Sequence, residues 1–241
     1  MLKNNKITAV ILAAGMGKRL GSITKGTSKV LLPVGDKTLI EYAIDFVKGV
    51  DIRDIMVVAG YCFGKVKKAV NEIDSSIKVI NNQEYKFQNL LSFAKALEQT
   101  EDGGVFTYDA DHIFSKETLE GVSKNLKDIC VYCSYDLSGG DDDVMKVKVD
   151  KQGNIVEMSK RLKDFECIYT GMFFIEDKYI SVLKKIVSDL LTRRGKEKTR
   201  VEMIFKAFIE KGFHVKVINV GKANWFEIDT SQDLELARKS I

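Results

Sequence analysis

A glycine-rich turn near the N-terminus carries residue types that suit phosphate groups. Gly15 and Gly17 follow the first apolar run of the chain, and the basic residues Lys18 and Arg19 come directly after them. Small residues let several main-chain N–H groups approach a triphosphate, and an arginine can grip phosphate oxygens with two parallel hydrogen bonds. The turn lacks the Walker A pattern, and Leu20 stands where a dinucleotide-binding fingerprint has its third glycine. A phosphate site is predicted, but a tight strand-to-helix connection would explain the two glycines by themselves.

Carboxylates follow one predicted strand and precede the last predicted helix. Asp109 and Asp111 come at the end of the apolar run 104–108, and Asp229 stands just before a helix that starts at Ser231. Residues at i and i+2 share one face of a strand, so both members of the pair could approach one Mg²⁺ directly or through water. Two simpler interpretations stay open. Asp109 and Asp111 could be ordinary carboxylates in the turn at the end of a strand, and Asp229 could cap the last helix.

Two further groups of residues could select substrates. Asn89 and Ser92 are spaced i, i+3 on a predicted helix, so an amide and a hydroxyl could together read the edge of a pyrimidine. Ordinary polarity at a helix N-terminus explains them equally well. A second group combines a glutamate, a lysine that could hold an acceptor phosphate, and a Thr-Gly pair inside a strand, where glycine indicates close approach of the main chain to a ligand. Its members are Glu157, Lys160, Thr170 and Gly171.

Other reactive residues lack the arrangement that catalysis or metal binding would need. Cys130 and Cys133 form a CxxC inside an apolar strand pattern, where i and i+3 point to opposite faces, and no second CxxC or nearby histidine completes a zinc site. We interpret both as structural thiols. His112 and His214 have no triad partner and no metal-ligand spacing, so we interpret them as structural too.

Apolar runs alternate with helical patterns through the first half of the chain. Unbroken apolar runs are typical of strands buried on both faces, and apolar residues at i, i+3 and i+4 are typical of helices. The alternation predicts an α/β fold with a Rossmann-like, mostly parallel mixed sheet flanked by helices, in which ligands bind beyond the carboxyl ends of the strands. The predicted strands are 7–12, 55–59, 77–80 and 104–108, and the predicted helices are 37–48, 63–70, 87–97 and 115–126.

The second half predicts a small β-rich subregion that would supply the acceptor side of a cleft. Its strands are 130–135, 145–149, 155–158 and 168–175, joined by acidic connectors at 139–143 and 150–153. Helices 177–191 and 199–211, a strand at 214–218 and the last helix close the chain. No linker interrupts the pattern, so we expect a single domain over 1–241, with a nucleotide-binding part at 1–128 and an acceptor-binding part at 129–241.

Composition and charge exclude several classes of protein. The 241 residues are 45% hydrophobic and 30% charged, which allows both a sizeable core and a well-solvated surface. The net charge of +4 is spread along the chain, whereas a nucleic-acid binder concentrates its basic residues in one patch. No apolar run reaches membrane-spanning length, and the run 7–14 is too short for a signal peptide. We expect a cytoplasmic protein with no nucleic-acid partner and no stable membrane insertion.

The stretch ILAAGMGKRL, followed by SKVLLPVGDKTLIEYAI, resembles the N-terminal signature of the sugar-phosphate nucleotidyltransferase superfamily. The superfamily pattern has a Pro-Lys pair, and here Ser28 precedes the retained Lys29. The resemblance implies the nucleotide-diphospho-sugar transferase type of fold, catalytic roles for Arg19, Lys29 and Asp111, and a Mg²⁺ ion held by Asp111 and Asp229. The implied nucleotide-binding residues are Leu12, Ala13, Ala14, Gly15, Gly17, Lys18, Arg19, Asn89 and Ser92; the implied acceptor-binding residues are Asp109, Glu157, Lys160, Thr170 and Gly171.

Later segments narrow the resemblance to cytidylyltransferases. NNQEY at 81–85 and FEIDTSQDL at 226–234 are similar to phosphocholine cytidylyltransferases, while SKRLKDF at 159–165 and YTGMFFI at 169–175 look closest to the inositol-1-phosphate cytidylyltransferases of thermophilic archaea and bacteria. A quaternary ammonium such as that of phosphocholine normally requires an aromatic cage, whereas a Thr-Gly element is typical of sites that receive a hydroxylated ring. The resemblance therefore implies transfer of CMP from CTP to inositol 1-phosphate, giving CDP-inositol and pyrophosphate.

The alternatives are a phosphocholine cytidylyltransferase, a hexose-1-phosphate nucleotidyltransferase, and a regulatory nucleotide-binding subunit of the same fold. A regulatory subunit would tend to have lost Arg19, Lys29 or Asp111, and the chain keeps all three. The chain ends at its last predicted helix, without the C-terminal domain through which members of the superfamily often assemble, so we expect a monomer or a homodimer.

Overall fold

A nine-stranded mixed sheet forms the middle layer of the computed structural model, which describes residues 6–137, 144–221 and 225–241. The strands are β1 (Ile7–Ala13), β2 (Pro33–Val34), β3 (Lys37–Thr38), β4 (Asp54–Ala59), β5 (Lys78–Asn81), β6 (Gly104–Asp109), β7 (His112–Phe114), β8 (Ile129–Ser134), β9 (Lys146–Val149), β10 (Ile155–Ser159), β11 (Cys167–Ile175), β12 (Lys216–Asn219) and β13 (Trp225–Glu227). The helices are α1 (Leu39–Gly49), α2 (Phe63–Ile73), α3 (Asn89–Leu97), α4 (Lys116–Ser123), α5 (Ile180–Arg194), α6 (Met203–Glu210) and α7 (Ser231–Ser240), with 3-10 turns at Lys18–Thr24, Lys29–Leu31 and Asp177–Tyr179.

The first half of the chain builds the parallel part of the sheet in the order β5-β4-β1-β6. The central strand β1 is buried from Thr8 to Ala13, because strands lie on both of its sides and helices cover both of its faces. Its alternate side chains enter two different cores: Val10 joins the core beneath α3, α5 and α6, and Ile11 joins the core beneath α1, α2 and α4. The predicted fold class is confirmed.

The second half continues the same sheet in the antiparallel direction. The last residues of β11 pair with β6 on one side, and β8 pairs with β11 on the other. The first residues of β11 pair with β9, which in turn pairs with β10, while β12 lies parallel to β8. The strands predicted as a β-rich subregion therefore join the parallel part of the sheet through β11, whose nine residues are all buried.

Several elements differ from the sequence-based expectation. The helix predicted at 199–211 begins only at Met203, because the preceding residues form turns in which the Thr199 hydroxyl donates to the Gly195 carbonyl. The sequence did not predict two short antiparallel ladders, which pair β2 with β3 and β7 with β13. The acidic connector predicted at 139–143 lies outside the described residues. Within the described ranges, none of the helices combines the length and the apolar composition that crossing a membrane requires.

We predict that Phe173→Ala lowers the free energy of unfolding by about 3–5 kcal/mol, since its ring is fully buried and packs edge-on against Phe93 and Phe205. Urea unfolding followed by circular dichroism measures the effect. Val156→Ala is the matched control, because Val156 is 53% exposed and its loss should change stability by no more than about 0.5 kcal/mol. Equal shifts in the two variants would contradict this packing.

Candidate active site

The glycine-rich turn and the acidic pair lie together at the carboxyl ends of β1 and β6. The two strands pair in register from Ile7 and Gly104 to Leu12 and Asp109, so both chains leave the sheet at the same edge. Gly17 has a φ of +63°, and a Cβ there would lie 2.9 Å from the Cβ of Lys29. Gly15 instead borders open space. The turn therefore packs closely on Lys29 and leaves its other side open to a ligand.

The predicted nucleotide-binding residues differ in what they expose. The side chains of Leu12, Ala13 and Ala14 are buried, so a nucleotide can reach these residues only through their main chain. The Leu12 carbonyl accepts a hydrogen bond from the Ala110 N–H, which ties the turn to the end of β6. Lys18 is exposed beside the turn, where its charge can meet a phosphate.

Lys29 lies at the centre of an ion cluster. Its Nζ is 2.8 Å from Asp111 Oδ2 and 2.7 Å from Asp229 Oδ1, and its side chain is only 8% exposed. Arg19 binds the other oxygen of Asp229. Burial disfavours the ammonium, but the charges and hydrogen bonds of Asp111 and Asp229 outweigh it and raise the pKa of Lys29 above its usual value. The lysine is therefore charged at neutral pH.

His112 supports the same cluster. Its Nδ1 lies 2.7 Å from Asp111 Oδ1, and its ring contacts those of Phe114 and Trp225, which also contact each other. Burial disfavours the charged ring, but the charge of Asp111 and the hydrogen bond to it raise the pKa of His112 to about 9. Burial also works against the ionised Asp111, whose pKa is nevertheless held well below its usual range by the charges of Lys29 and His112. His112, interpreted above as structural, thus fixes the orientation of Asp111.

A third carboxylate, Glu227, completes a group that sequence reasoning missed. Oxygens of Asp111, Glu227 and Asp229 all lie within 4.8 Å of one another, and Mg²⁺ prefers such oxygen ligands. Burial raises the pKa of Glu227 to about 7. The sequence signal was available in the i, i+2 spacing of Glu227 and Asp229, but the strand β13 that places Glu227 opposite His112 was not foreseen. The donor set fits a hard divalent cation.

Asp109 lies beside this group, against a bulge in β11. Four residue steps from Tyr169 to Phe173 on β11 oppose only two steps on β8, and Gly171 adopts a φ of +77° within the bulge. A Cβ at Gly171 would lie 3.1 Å from Asp109 Oδ2, so the absence of a side chain there makes room for the carboxylate. The hydroxyl of the neighbouring Thr170 is buried and donates to the Tyr132 carbonyl, which leaves only its main chain available to an acceptor.

The residues predicted to read the nucleobase already make hydrogen bonds within the protein. Asn89 Oδ1 accepts from the Val201 N–H at 3.0 Å, and Ser92 Oγ accepts from Asn82 Nδ2 at 2.9 Å. Ser92 is also buried. A role for either side chain in base recognition therefore stays a prediction. Because their oxygens already accept hydrogen bonds, the two residues would contact a base through their donors, the Asn89 NH2 group and the Ser92 hydroxyl.

The remaining predicted acceptor residues stand on the outer strand of the sheet. Glu157 is an exposed residue of β10, where it pairs in register with Lys148 of β9. Lys160 follows the end of β10 and is half-buried. Their contribution to acceptor binding stays a prediction.

Comparisons with known proteins all point to nucleotidyltransferases. Residues 9–153 match the family described as MobA-like NTP transferase domain. The CTP:phosphoglutamine cytidylyltransferase of Campylobacter jejuni is 26% identical over 95% of this chain and 98% of its own length. The bifunctional IPC transferase and DIPP synthase of Aquifex aeolicus is 28% identical over 97% of this chain, which spans only 51% of that relative. Among solved structures, the inositol-1-phosphate CTP transferase from T. maritima superposes with a TM-score of 0.82 at 24% identity, covering 96% of this chain and 95% of that one.

The ion cluster generates a prediction about divalent cations. Because the Lys29 ammonium and a metal ion compete for the same oxygens of Asp111 and Asp229, Lys29→Met should raise the Mn²⁺ affinity of the ligand-free protein by at least about tenfold. Titration of free Mn²⁺ by electron paramagnetic resonance measures it. Lys37→Met is the control, since the ammonium of Lys37 forms its ion pair with the surface residue Asp45 and lies over the ring of Tyr42. Unchanged or weaker Mn²⁺ binding in Lys29→Met would show that the metal does not use these oxygens.

Proposed function

The chain belongs to the MobA-like NTP transferase family, and from this premise we propose that it transfers the CMP group of CTP to the phosphate of inositol 1-phosphate. Membership makes it a nucleotidyltransferase. The observation that carries the proposal is the convergence of Arg19, Lys29, Asp111 and Asp229 beside the glycine-rich turn, at the edge of the sheet where a triphosphate would be held.

The reaction we propose needs charge and position rather than a general base. An oxygen of the acceptor phosphate, which is already an anion, attacks the α-phosphorus of CTP in line with the leaving group. The bond from the α-phosphorus to the bridging oxygen breaks, and pyrophosphate leaves with the electron pair. The described site accordingly contains cations and carboxylates, with no nucleophile paired to a base.

Each part of the site has a task in this reaction. The main-chain N–H groups of the turn hold the phosphates, and Arg19 and Lys29 neutralise the negative charge that develops on pyrophosphate. Asp111 and Asp229, with Glu227 beside them, are the residues that would hold Mg²⁺, which would supply further charge neutralisation on the phosphates. His112 keeps Asp111 in the required orientation.

The choice of CTP and inositol 1-phosphate rests on the resemblance of two segments and on the similar proteins. The segment 81–92 resembles that of cytidylyltransferases, and two of the similar proteins, the Campylobacter relative and the T. maritima structure, are named for their use of CTP. The strand containing Thr170 and Gly171 resembles that of inositol-1-phosphate cytidylyltransferases. Phosphoglutamine is a second candidate acceptor, since the Campylobacter relative matches over 98% of its own length. Phosphocholine and hexose 1-phosphates are the remaining candidate acceptors.

Pyrophosphate release with CTP, UTP, GTP or ATP against inositol 1-phosphate, phosphoglutamine, phosphocholine and glucose 1-phosphate tests the proposal. We expect the fastest release with CTP and inositol 1-phosphate in the presence of Mg²⁺. The Asp111→Asn variant serves as the blank and should lose activity by at least about a hundredfold, because it removes a charge from the centre of the cluster. If the folded protein releases pyrophosphate with none of these acceptors, enzymatic transfer is refuted. If it prefers a different acceptor, that acceptor replaces inositol 1-phosphate in the proposal.

A further inference from the structure

Two tyrosines lie beside the glycine-rich turn, on its side away from the ion cluster. Tyr61 follows the end of β4, and Tyr85 follows the end of β5. The centroids of their rings are 6.0 Å apart, and the ring planes are inclined by 56°. Both residues are half-buried, so each keeps part of its surface exposed. The pair therefore presents aromatic surface at the edge of the sheet where the phosphates of a nucleotide would be held.

Close contacts fix the two tyrosines against the glycine-rich turn. The N–H of Tyr61 donates to the Ala14 carbonyl at 3.2 Å. A Cβ at Gly60 would lie 3.0 Å from the Ala14 carbonyl oxygen and 2.2 Å from the Cβ of Tyr85, so only a residue without a side chain allows this approach. Gly15, the next residue of the turn, borders open space. The rings thus stand next to the part of the turn that is open to a ligand.

The short turn that carries Tyr85 is held by hydrogen bonds within the protein. The buried Asn82 donates its main-chain N–H to the Ala59 carbonyl at 2.8 Å, and its carbonyl accepts from the N–H of Tyr85 at 3.2 Å. Its side chain accepts from the Glu84 N–H and donates to Ser92 Oγ. An aromatic surface that is already ordered loses little conformational freedom when a ligand packs against it.

The order of the strands indicates which end of a nucleotide would meet the rings. The sheet runs β5-β4-β1-β6-β11, with the glycine-rich turn after β1, Asp109 and Asp111 at the end of β6, and the bulge at Gly171 in β11. In the proposed reaction, the metal ion and the acceptor take the side of β6 and β11, because the carboxylates lie there. The nucleoside is joined to the α-phosphorus through its ribose, and it is left with the side of β4 and β5, where the rings lie.

We propose that the base of the bound nucleoside triphosphate packs against the rings of Tyr61 and Tyr85. The inference rests on the proposed function and adds a binding surface for the nucleoside to the phosphate site of the turn. Every base has an aromatic face, so stacking contributes affinity without distinguishing one base from another. Selection of cytosine would then fall to polar groups near the rings, such as the NH2 group of Asn89.

Binding measured without an acceptor tests the proposal. Isothermal titration calorimetry in the presence of Mg²⁺ gives the Kd of CTP, UTP and ATP, and that of inorganic tripolyphosphate, which has the phosphates but neither ribose nor base. We expect Tyr61→Leu and Tyr85→Leu each to raise the Kd of every nucleoside triphosphate that binds by about fivefold to a hundredfold, the loss expected for a stacked base. The Kd of tripolyphosphate should stay within about twofold, since phosphates contact the turn and not the rings.

Two control variants separate stacking from a general effect of substitution. Tyr85→Phe keeps the ring, so the Kd of CTP should stay within about twofold of that of the wild type. Tyr179→Leu is the matched control, because Tyr179 is also half-buried and its ring also contacts an aromatic ring, that of Phe213. It follows the end of β11, which pairs with the start of β6, and so lies at the opposite edge of the sheet. Its Kd values should equal those of the wild type.

The position of the base is observed directly by nuclear magnetic resonance. In the wild type, we expect nuclear Overhauser effects from the ring protons of Tyr61 and Tyr85 to H5 and H6 of bound CTP. An unchanged Kd of CTP in both leucine variants, or an equal rise for CTP and tripolyphosphate, would overturn this inference alone. A wild type that binds none of the three nucleoside triphosphates would overturn the proposed function as well. Binding of CTP through the rings without transfer to any acceptor would overturn the proposed function and support this inference.

Discussion

Lys29 places one positive charge between two carboxylates that come from positions 82 and 200 residues further along the chain. Burial makes this arrangement demanding, because charges removed from water must find partners at hydrogen-bond distance. The Gly17 turn packs on the lysine from one side, the end of β6 supplies Asp111, and the approach to α7 supplies Asp229. The remainder of the sheet serves to bring these three segments to a single edge.

The cluster also gives each of the two aspartates two positively charged partners. Without a ligand, the ammonium of Lys29 and the guanidinium of Arg19 neutralise Asp229, and Lys29 and His112 neutralise Asp111. In the proposed reaction, the phosphate groups of the substrate would attract the same cations, and the carboxylates would then be free to hold a divalent ion.

The sequence was sufficient to predict the elements whose patterns are local. Strands buried on both faces read as unbroken apolar runs, so β1, β4 and β6 were found, and the rule that ligands bind at the carboxyl ends of strands pointed to Asp109 and Asp111. The contact between Lys29 and Asp229 was not predictable from spacing, because it depends on how α7 returns to the first strand. The strands β7 and β13 contain three residues each, too few for a periodic signal, so Glu227 was missed.

In the proposed mechanism, Lys29 holds the two aspartates in the free protein and would release them to a metal ion when the triphosphate binds. A crystal structure with Mn²⁺ and a nonhydrolysable CTP analogue, with anomalous data collected at the manganese edge, tests this most directly. We expect an anomalous peak in contact with the carboxylate oxygens of Asp111 and Asp229, and we expect Lys29 Nζ to have moved from them to the phosphates. A peak away from both aspartates, or Lys29 still bridging them beside the bound analogue, would contradict it.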